Sequence, residues 1–166
     1  MKPKGFTLVE ILVVVVILGI LAAVVIPRFS NAAAAARASM LADDLRTVRI
    51  QTEVFEGQHA SPPGYPGCDP NNAPTEATFV AHMTMASKVT GETAAPGTAG
   101  YPFGPYLRVI PQNPVNGNSS VQIIPDSGAM PGSADDSHGW IFQPRTGNFK
   151  ADCKGTDENG KAYFDY

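Results

Sequence analysis

The sequence predicts an α+β fold: a long N-terminal spine helix, transmembrane in its first half, with a small antiparallel β-sheet packed on its second half. Three observations predict it. Residues 6–26 form an apolar run, and apolar side chains then recur with helical spacing as far as Phe55. The 16 glycines and 15 prolines lie mostly after Ile26, which favours loops and strands over a helical bundle. Short runs typical of strands follow at residues 121–124, 140–143 and 148–151.

Length and charge narrow the class of protein. A chain of 166 residues is expected to hold one small soluble domain and additional segments. Its formal net charge is −3, and its 12 lysines and arginines form no basic run. Because a nucleic-acid groove needs a basic stripe, no nucleic-acid partner is expected.

The apolar run 6–26 is long enough to cross a membrane. Its 21 residues contain two polar side chains, Thr7 and Glu10. As a helix the run would span about 30 Å, the thickness of a bilayer core. Lys2 and Lys4 precede it, which places the N-terminus in the cytoplasm by the positive-inside rule.

Two simpler interpretations of this segment stay open. One is a plain membrane anchor, and the other is a secretory signal peptide cut near the alanine tract 32–36. The run is longer than a typical signal core, which argues against a cut there. Neither interpretation accounts for Glu10, because a carboxylate inside a membrane helix costs about 3 kcal/mol unless it finds a partner.

A partner for Glu10 would appear if the chain were cut after Gly5. Phe6 would then carry a new α-amine, and a neighbouring copy shifted along the helix axis could place that amine beside Glu10. Residues 6–26 contain no cationic side chain, so no partner is expected within the same helix. The pair would neutralise two charges in an apolar core and fix the axial register of the two copies.

The string Gly5-Phe6-Thr7-Leu8-Val9-Glu10 resembles the N-terminal signal of type IV prepilins and type II secretion pseudopilins. The resemblance implies cleavage after Gly5 by a prepilin peptidase and N-methylation of Phe6. It also implies a precursor held in the inner membrane, which pilus or type II secretion machinery assembles into a helical homo-oligomer. The assembled form would be an extracellular pilus or a periplasmic pseudopilus.

The helix is expected to continue beyond the membrane, from about Phe6 to Glu56, with Gly57 as its C-cap. Pro27 should bend or locally unwind it, as the family implies for assembled filaments. Arg49 and Glu53 are expected to form an i,i+4 pair. The buried stripe is predicted at Leu41, Leu45, Val48, Thr52 and Phe55. Four segments follow from this: a leader (1–5), a membrane and filament-core helix (6–26), its amphipathic continuation (27–57) and a globular head (58–166).

The head should begin with a proline-rich loop at 58–74, followed by a helix from a cap at Thr75 to about Lys88. Residues 104–114, which begin Gly-Pro-Tyr-Leu, resemble a segment of the major pseudopilin of type II secretion. Their prolines predict a rigid connector that lets Tyr106, Leu107 and Ile110 reach the core. A hairpin is predicted at 140–151 and a last strand at 161–166.

Few residues of the head suggest chemistry. Cys68 and Cys153 are predicted to form a disulfide, since the N-terminal segment supplies an export route to an oxidising compartment. The resemblance makes Ca²⁺ a weak candidate cofactor, with a solvated acidic turn as the alternative; the candidate ligands are Asp152, Asp157 and Glu158. A catalytic triad drawn from Ser133, Asp135, Asp136 and His138 is rejected, because four neighbours on one loop do not readily adopt triad geometry.

The sequence therefore predicts a structural subunit of a pilus-like filament, with no catalytic residues. A periplasmic major pseudopilin that drives protein export is the alternative within the same class. A membrane-anchored binding domain is the rival from another class, and it predicts no processing at Gly5.

Overall fold

A computed structural model describes residues 5–166. It contains two helices and five short strands, which confirms the α+β class. The helices are α1 (Leu8–His59) and α2 (Glu76–Thr84). The strands are β1 (Ala86–Ser87), β2 (Thr93–Ala94), β3 (Val121–Ile123), β4 (Trp140–Gln143) and β5 (Asn148–Ala151).

Helix α1 is a single element of 52 residues, about 78 Å at the usual rise. It is continuous through position 27, so unwinding there within a filament stays a prediction. It ends three residues later than predicted: Ala60, rather than Gly57, adopts the left-handed conformation with φ 56°. The Ala60 N–H donates to the Glu56 carbonyl at 2.8 Å and closes the last turn.

The first half of α1 stands outside the head. Its apolar side chains are exposed on every face of the helix, from Leu8 to Phe29. Among the described residues, α1 alone is long and apolar enough to cross a membrane, judged by length and composition. Helix α1 therefore has two parts: an apolar stalk (residues 8–29) and a second half that belongs to the head.

The core of the head lies between the second half of α1 and the sheet. The predicted stripe of α1 is buried, with every member at most 5% exposed: Leu41, Leu45, Val48, Thr52 and Phe55. Aromatic side chains from α2, β4 and β5 complete the same cluster: Phe79, Trp140, Phe142 and Phe149. Each such side chain contributes about 1.5–3 kcal/mol by leaving water. The stripe thus fixes the head onto the helix.

The sheet differs from the predicted antiparallel arrangement. Strand β4 is central, pairing parallel with β3 and antiparallel with β5. The connection from β3 to β4 covers residues 124–139, long enough to return the chain to the same end of the sheet. Strands β4 and β5 form the predicted hairpin through a 3₁₀ turn at Pro144–Thr146. A separate antiparallel pair, β1 and β2, was not predicted.

The connector 104–114 reaches the core as expected. Leu107 and Ile110 are buried, and Tyr106 packs against the cluster. The N–H groups of Tyr106 and Leu107 both donate to the Met83 carbonyl, at 3.0 and 2.8 Å. These bonds fasten the connector to the end of α2.

Two element boundaries differ from the prediction. Helix α2 is capped by Thr75, whose hydroxyl accepts a first-turn N–H at 3.2 Å, but it ends at Thr84 rather than Lys88 because β1 begins at Ala86. The predicted last strand at 161–166 is absent from the described chain, and a 3₁₀ turn at Tyr163–Asp165 stands in its place.

Arg49 does not form the predicted pair with Glu53. Its guanidinium turns toward the sheet and donates twice to the Phe149 carbonyl, at 2.8 and 3.0 Å. A further bond of 2.8 Å reaches the main-chain oxygen of Tyr166. Through these bonds Arg49 ties α1 to β5 and to the last turn of the chain.

Candidate functional site: the capped start of α1

Helix α1 begins with a reciprocal cap between Thr7 and Glu10. The Thr7 N–H and hydroxyl donate to one Glu10 carboxylate oxygen at 2.8 and 2.7 Å. The Glu10 N–H in turn donates to the Thr7 hydroxyl at 3.2 Å. This is a capping box, which satisfies two backbone N–H groups at the helix start.

The cap corrects the expectation that Glu10 has no partner within its own helix. That expectation considered only cationic side chains, whereas Thr7 supplies neutral donors. The pattern Thr-x-x-Glu before an apolar run is itself a capping-box signature, so the sequence contained the signal. The cap leaves the negative charge of Glu10 in place.

The predicted processing bond lies just outside the helix. Gly5 and Phe6 precede the cap in non-helical chain, and the Phe6 side chain is 82% exposed. A Cβ added at Gly5 would meet nothing within 4 Å. The bond between them is therefore accessible from outside the folded chain, while Lys2 and Lys4 lie outside the described residues.

The predicted disulfide is not formed in the structure, where Cys68 and Cys153 are both free thiols. The Cys68 sulfur lies against Gly91, at 2.6 Å from where a Cβ of that residue would be. Cys153 follows β5 and interacts with Asn113 instead. The two thiols thus have different neighbours, and burial raises the pKa of each.

The calcium candidates are not arranged as ligands of one ion. Asp152 is fully buried, and both carboxylate oxygens accept hydrogen bonds from residues 135–138. Asp157 accepts from two backbone N–H groups and from the Tyr166 hydroxyl, while Glu158 is exposed. Within residues 5–166 no three acidic, histidine or cysteine side chains gather into a metal site. The residues present do not fit the ion that the resemblance suggested.

Two of the four residues considered for a triad, Asp135 and Asp136, accept backbone N–H groups instead. The Asp135 carboxylate accepts the Ser137 N–H at 2.8 Å, and the Asp136 carboxylate accepts the Lys154 N–H at 2.8 Å. His138 bonds the Ser137 hydroxyl at 2.7 Å, and Ser133 is exposed. Neither aspartate orients the histidine, so the arrangement lacks the geometry of a triad.

Two buried histidines, His59 and His82, stack on opposite sides of Phe55. Their ring centroids lie 3.8 and 4.8 Å from that of Phe55. His82 accepts the Gly64 N–H at 3.3 Å and donates to the Gly91 carbonyl at 3.1 Å, which fixes one neutral tautomer. Burial lowers the pKa of His82 to about 4. In the sequence, the burial of His59 was indicated only by its position four residues after Phe55, which continues the α1 stripe. The burial of His82 had no such signal.

The cap, the stalk and the head together define a structural class of protein. Its members have one long helix, which begins as an apolar, membrane-compatible stalk with a capped carboxylate and ends inside a small α+β head. Comparison with known proteins confirms the predicted resemblance. Residues 1–26 match the family model described as "Prokaryotic N-terminal methylation motif".

Similar proteins extend the match beyond the N-terminus. The chain is 27% identical over 150 residues to "Type II secretion system core protein G" of Pectobacterium carotovorum, covering 84% of this chain and 85% of that protein. It is 28% identical over 154 residues to the protein of the same description from Klebsiella michiganensis, covering 87% and 97%. It is 42% identical over 59 residues to "Type IV major fimbrial protein FimA" of Dichelobacter nodosus, covering 34% and 38%. No solved structure matches significantly.

Proposed function

We propose that this chain is a non-catalytic structural subunit of a pilus-like helical filament. Residues 1–5 form a leader that a prepilin peptidase removes, and Phe6 becomes the methylated N-terminal residue. The stalk holds the subunit in the inner membrane and later forms the filament core, while residues 58–166 remain outside the core as the head. The observation that carries this proposal is an apolar stalk that is exposed along its length and has a carboxylate, Glu10, in its first turn.

The stalk cannot remain in water. Burial of each large apolar side chain is worth about 1.5–3 kcal/mol, and the stalk exposes such side chains on all faces. A patch of this size marks a membrane or protein contact. Lipid covers it before assembly, and helices of other copies cover it afterwards.

In this proposal Glu10 fixes the axial register between the stalk helices of neighbouring copies. In the free subunit Thr7 holds the carboxylate with neutral donors, which reduces the cost of placing it near lipid. Full neutralisation needs a positive charge, and the new amine of Phe6 on a neighbouring copy provides one. Stranding either charge in an apolar core would cost roughly 3–5 kcal/mol per contact, so a single stagger is favoured.

A second candidate within the class is the periplasmic pseudopilin of a type II secretion system. The relatives that match 84% and 87% of this chain both carry the description of its core protein G, whereas the fimbrial match covers 34%. Both candidates use the same processing and the same packing of stalk helices. They differ in whether the filament is found outside the cell or in the periplasm.

The experiment separates the charge of Glu10 from its cap. Glu10→Gln keeps an oxygen for the Thr7 donors but loses the charge, whereas Thr7→Val keeps the charge and loses the hydroxyl. Both proteins should be processed to start at a methylated Phe6, as intact mass will show, but Glu10→Gln should fail to assemble while Thr7→Val still forms filaments. A Gly5→Leu control should remain as full-length precursor in the membrane.

Filament yield, sedimentation and imaging of the cell surface then decide the outcome. Abundant filaments of Glu10→Gln with the parental subunit rise would refute the register mechanism. A mature N-terminus near residues 32–36 would refute the whole proposal and support a secretory signal. Filaments confined to the periplasm would select the pseudopilin candidate.

A further inference from the structure

The carboxylate of Asp152 accepts hydrogen bonds from four consecutive residues, 135–138, of the β3–β4 connection. One oxygen accepts the N–H groups of Asp135 and Asp136 at 2.8 and 3.4 Å. The other accepts the His138 N–H at 2.9 Å and the Ser137 hydroxyl at 3.2 Å. We name this arrangement the Asp152 clamp. It binds the long β3–β4 connection to the residue that follows β5.

The main chain of Asp152 is held just as firmly. Its N–H donates to the Gly139 carbonyl at 3.1 Å, and its carbonyl accepts from the Asn116 amide at 2.7 Å. The same Asn116 amide also donates to the His138 carbonyl at 2.7 Å. No buried side-chain nitrogen or oxygen within residues 5–166 lacks a partner. The clamp is therefore saturated by the protein itself.

The direction of these donors matters. The backbone N–H groups of Asp135, Asp136 and His138 converge on the Asp152 carboxylate, and such a nest binds negative charge. A divalent cation seated at Asp152 would face the positive ends of the same N–H groups. The nearby acidic side chains are also occupied: Lys154 donates its N–H to Asp136 and places its ammonium 3.7 Å from that carboxylate. Residues 135–138 are therefore folded around the negative charge of the Asp152 carboxylate.

We propose that this chain uses the Asp152 clamp in place of a metal ion to close its C-terminal loops, so that the head keeps its stability without calcium. This proposal concerns the head alone and does not depend on whether filaments form. It predicts a head that tolerates chelators and gains nothing from added Ca²⁺.

Thermal unfolding of the purified full-length chain in detergent tests the proposal. The midpoint should be the same in EDTA and in millimolar CaCl₂, whereas a saturated structural calcium site would raise it by roughly 5–10 °C. Asp152→Asn should lower the midpoint by roughly 5–10 °C in both media, because an NH₂ group then replaces one of the two oxygens that accept these hydrogen bonds. Glu158→Gln, on the exposed acidic turn, should leave it unchanged.

Because Asp152→Asn can abolish folding, hydrogen exchange of the wild-type chain gives a second readout. The amides of Asp135, Asp136 and His138 should be equally protected in EDTA and in CaCl₂. The proposal is overturned if chelation exposes these amides, if Ca²⁺ raises the midpoint of the wild-type chain, or if Glu158→Gln removes a calcium-dependent gain. Equal protection together with an equal midpoint supports it.

Discussion

Lowering the pH from 7.5 to 5 should destabilise the head, because His82 must be neutral in the native fold. Its ring accepts one hydrogen bond and donates the other, so a second proton would break the bond from Gly64. Burial lowers the pKa of His82 from 6.5 to about 4. The unfolded chain therefore binds the proton first, and unfolding is favoured as the pH falls.

The size of the effect follows from the pKa difference. The contribution of neutral His82 is complete above pH 6.5, is lost progressively as the pH falls from 6.5 towards 4, and amounts to about 3 kcal/mol in total. At pH 5 the loss should be about 2 kcal/mol, which lowers the midpoint by roughly 4–8 °C. Burial also lowers the pKa of His59, which acts in the same direction.

The assay is thermal unfolding of the full-length chain in detergent, followed by near-ultraviolet circular dichroism between pH 7.5 and 5. This range lies above the titration of ordinary carboxylates, so histidines dominate it. His82→Gln removes the titrating group and should flatten most of the pH dependence while lowering stability at pH 7.5. A wild-type midpoint that stays constant down to pH 5 would refute the reasoning, as would an undiminished slope in His82→Gln.

Three further predictions concern the head. Arg49→Met should destabilise it by about 2–4 kcal/mol, because the main-chain oxygens of Phe149 and Tyr166 lose a charged donor. The exposed Arg46→Met should cost less than about 0.5 kcal/mol, and urea unfolding measures both. Gly139→Ala should destabilise by about 1–3 kcal/mol in the same assay, since the added Cβ would meet main-chain atoms of the neighbouring loop. Non-reducing peptide mapping after denaturing alkylation should find Cys68 and Cys153 each labelled once.

Each of these predictions has a contradicting result. Equal urea midpoints for the two arginine variants would show that the Arg49 bonds add nothing to stability. A Gly139→Ala protein as stable as the parent would mean that the loop relaxes freely around the new methyl group. A linked pair of cysteine peptides would restore the predicted disulfide and would show that the chain around Cys68 or Cys153 rearranges.

The sequence predicted those parts of the fold that depend on local pattern. The stripe from Leu41 to Phe55 specified one buried face of α1, since residues three and four apart share a helix face. Strands β4 and β5 were predicted at their observed bounds because a turn with Gly147 separates two runs of strand-forming residues. Leu107 and Ile110 were correctly assigned to the core.

What the sequence did not reveal depends on contacts between distant segments. The parallel pairing of β3 with β4 requires knowing where the long connection returns, and no local pattern encodes that. Arg49 has an obvious partner four residues away in Glu53, yet it bonds main-chain oxygens that lie 100 and 117 residues further along the chain. Asp152 looked like a metal ligand because its oxygens are suitable ones, and only the folded loop shows that amides already occupy them.

The continuity of α1 has a mechanical consequence. While α1 stays continuous through position 27, a pull on the stalk along its axis reaches the head with no loop between them that could extend first. At the head the load is carried in shear, by the buried stripe and by the Arg49 bonds to Phe149 and Tyr166 together. Contacts loaded in shear must break as a group rather than one after another, so under tension the head and the stalk respond as one body.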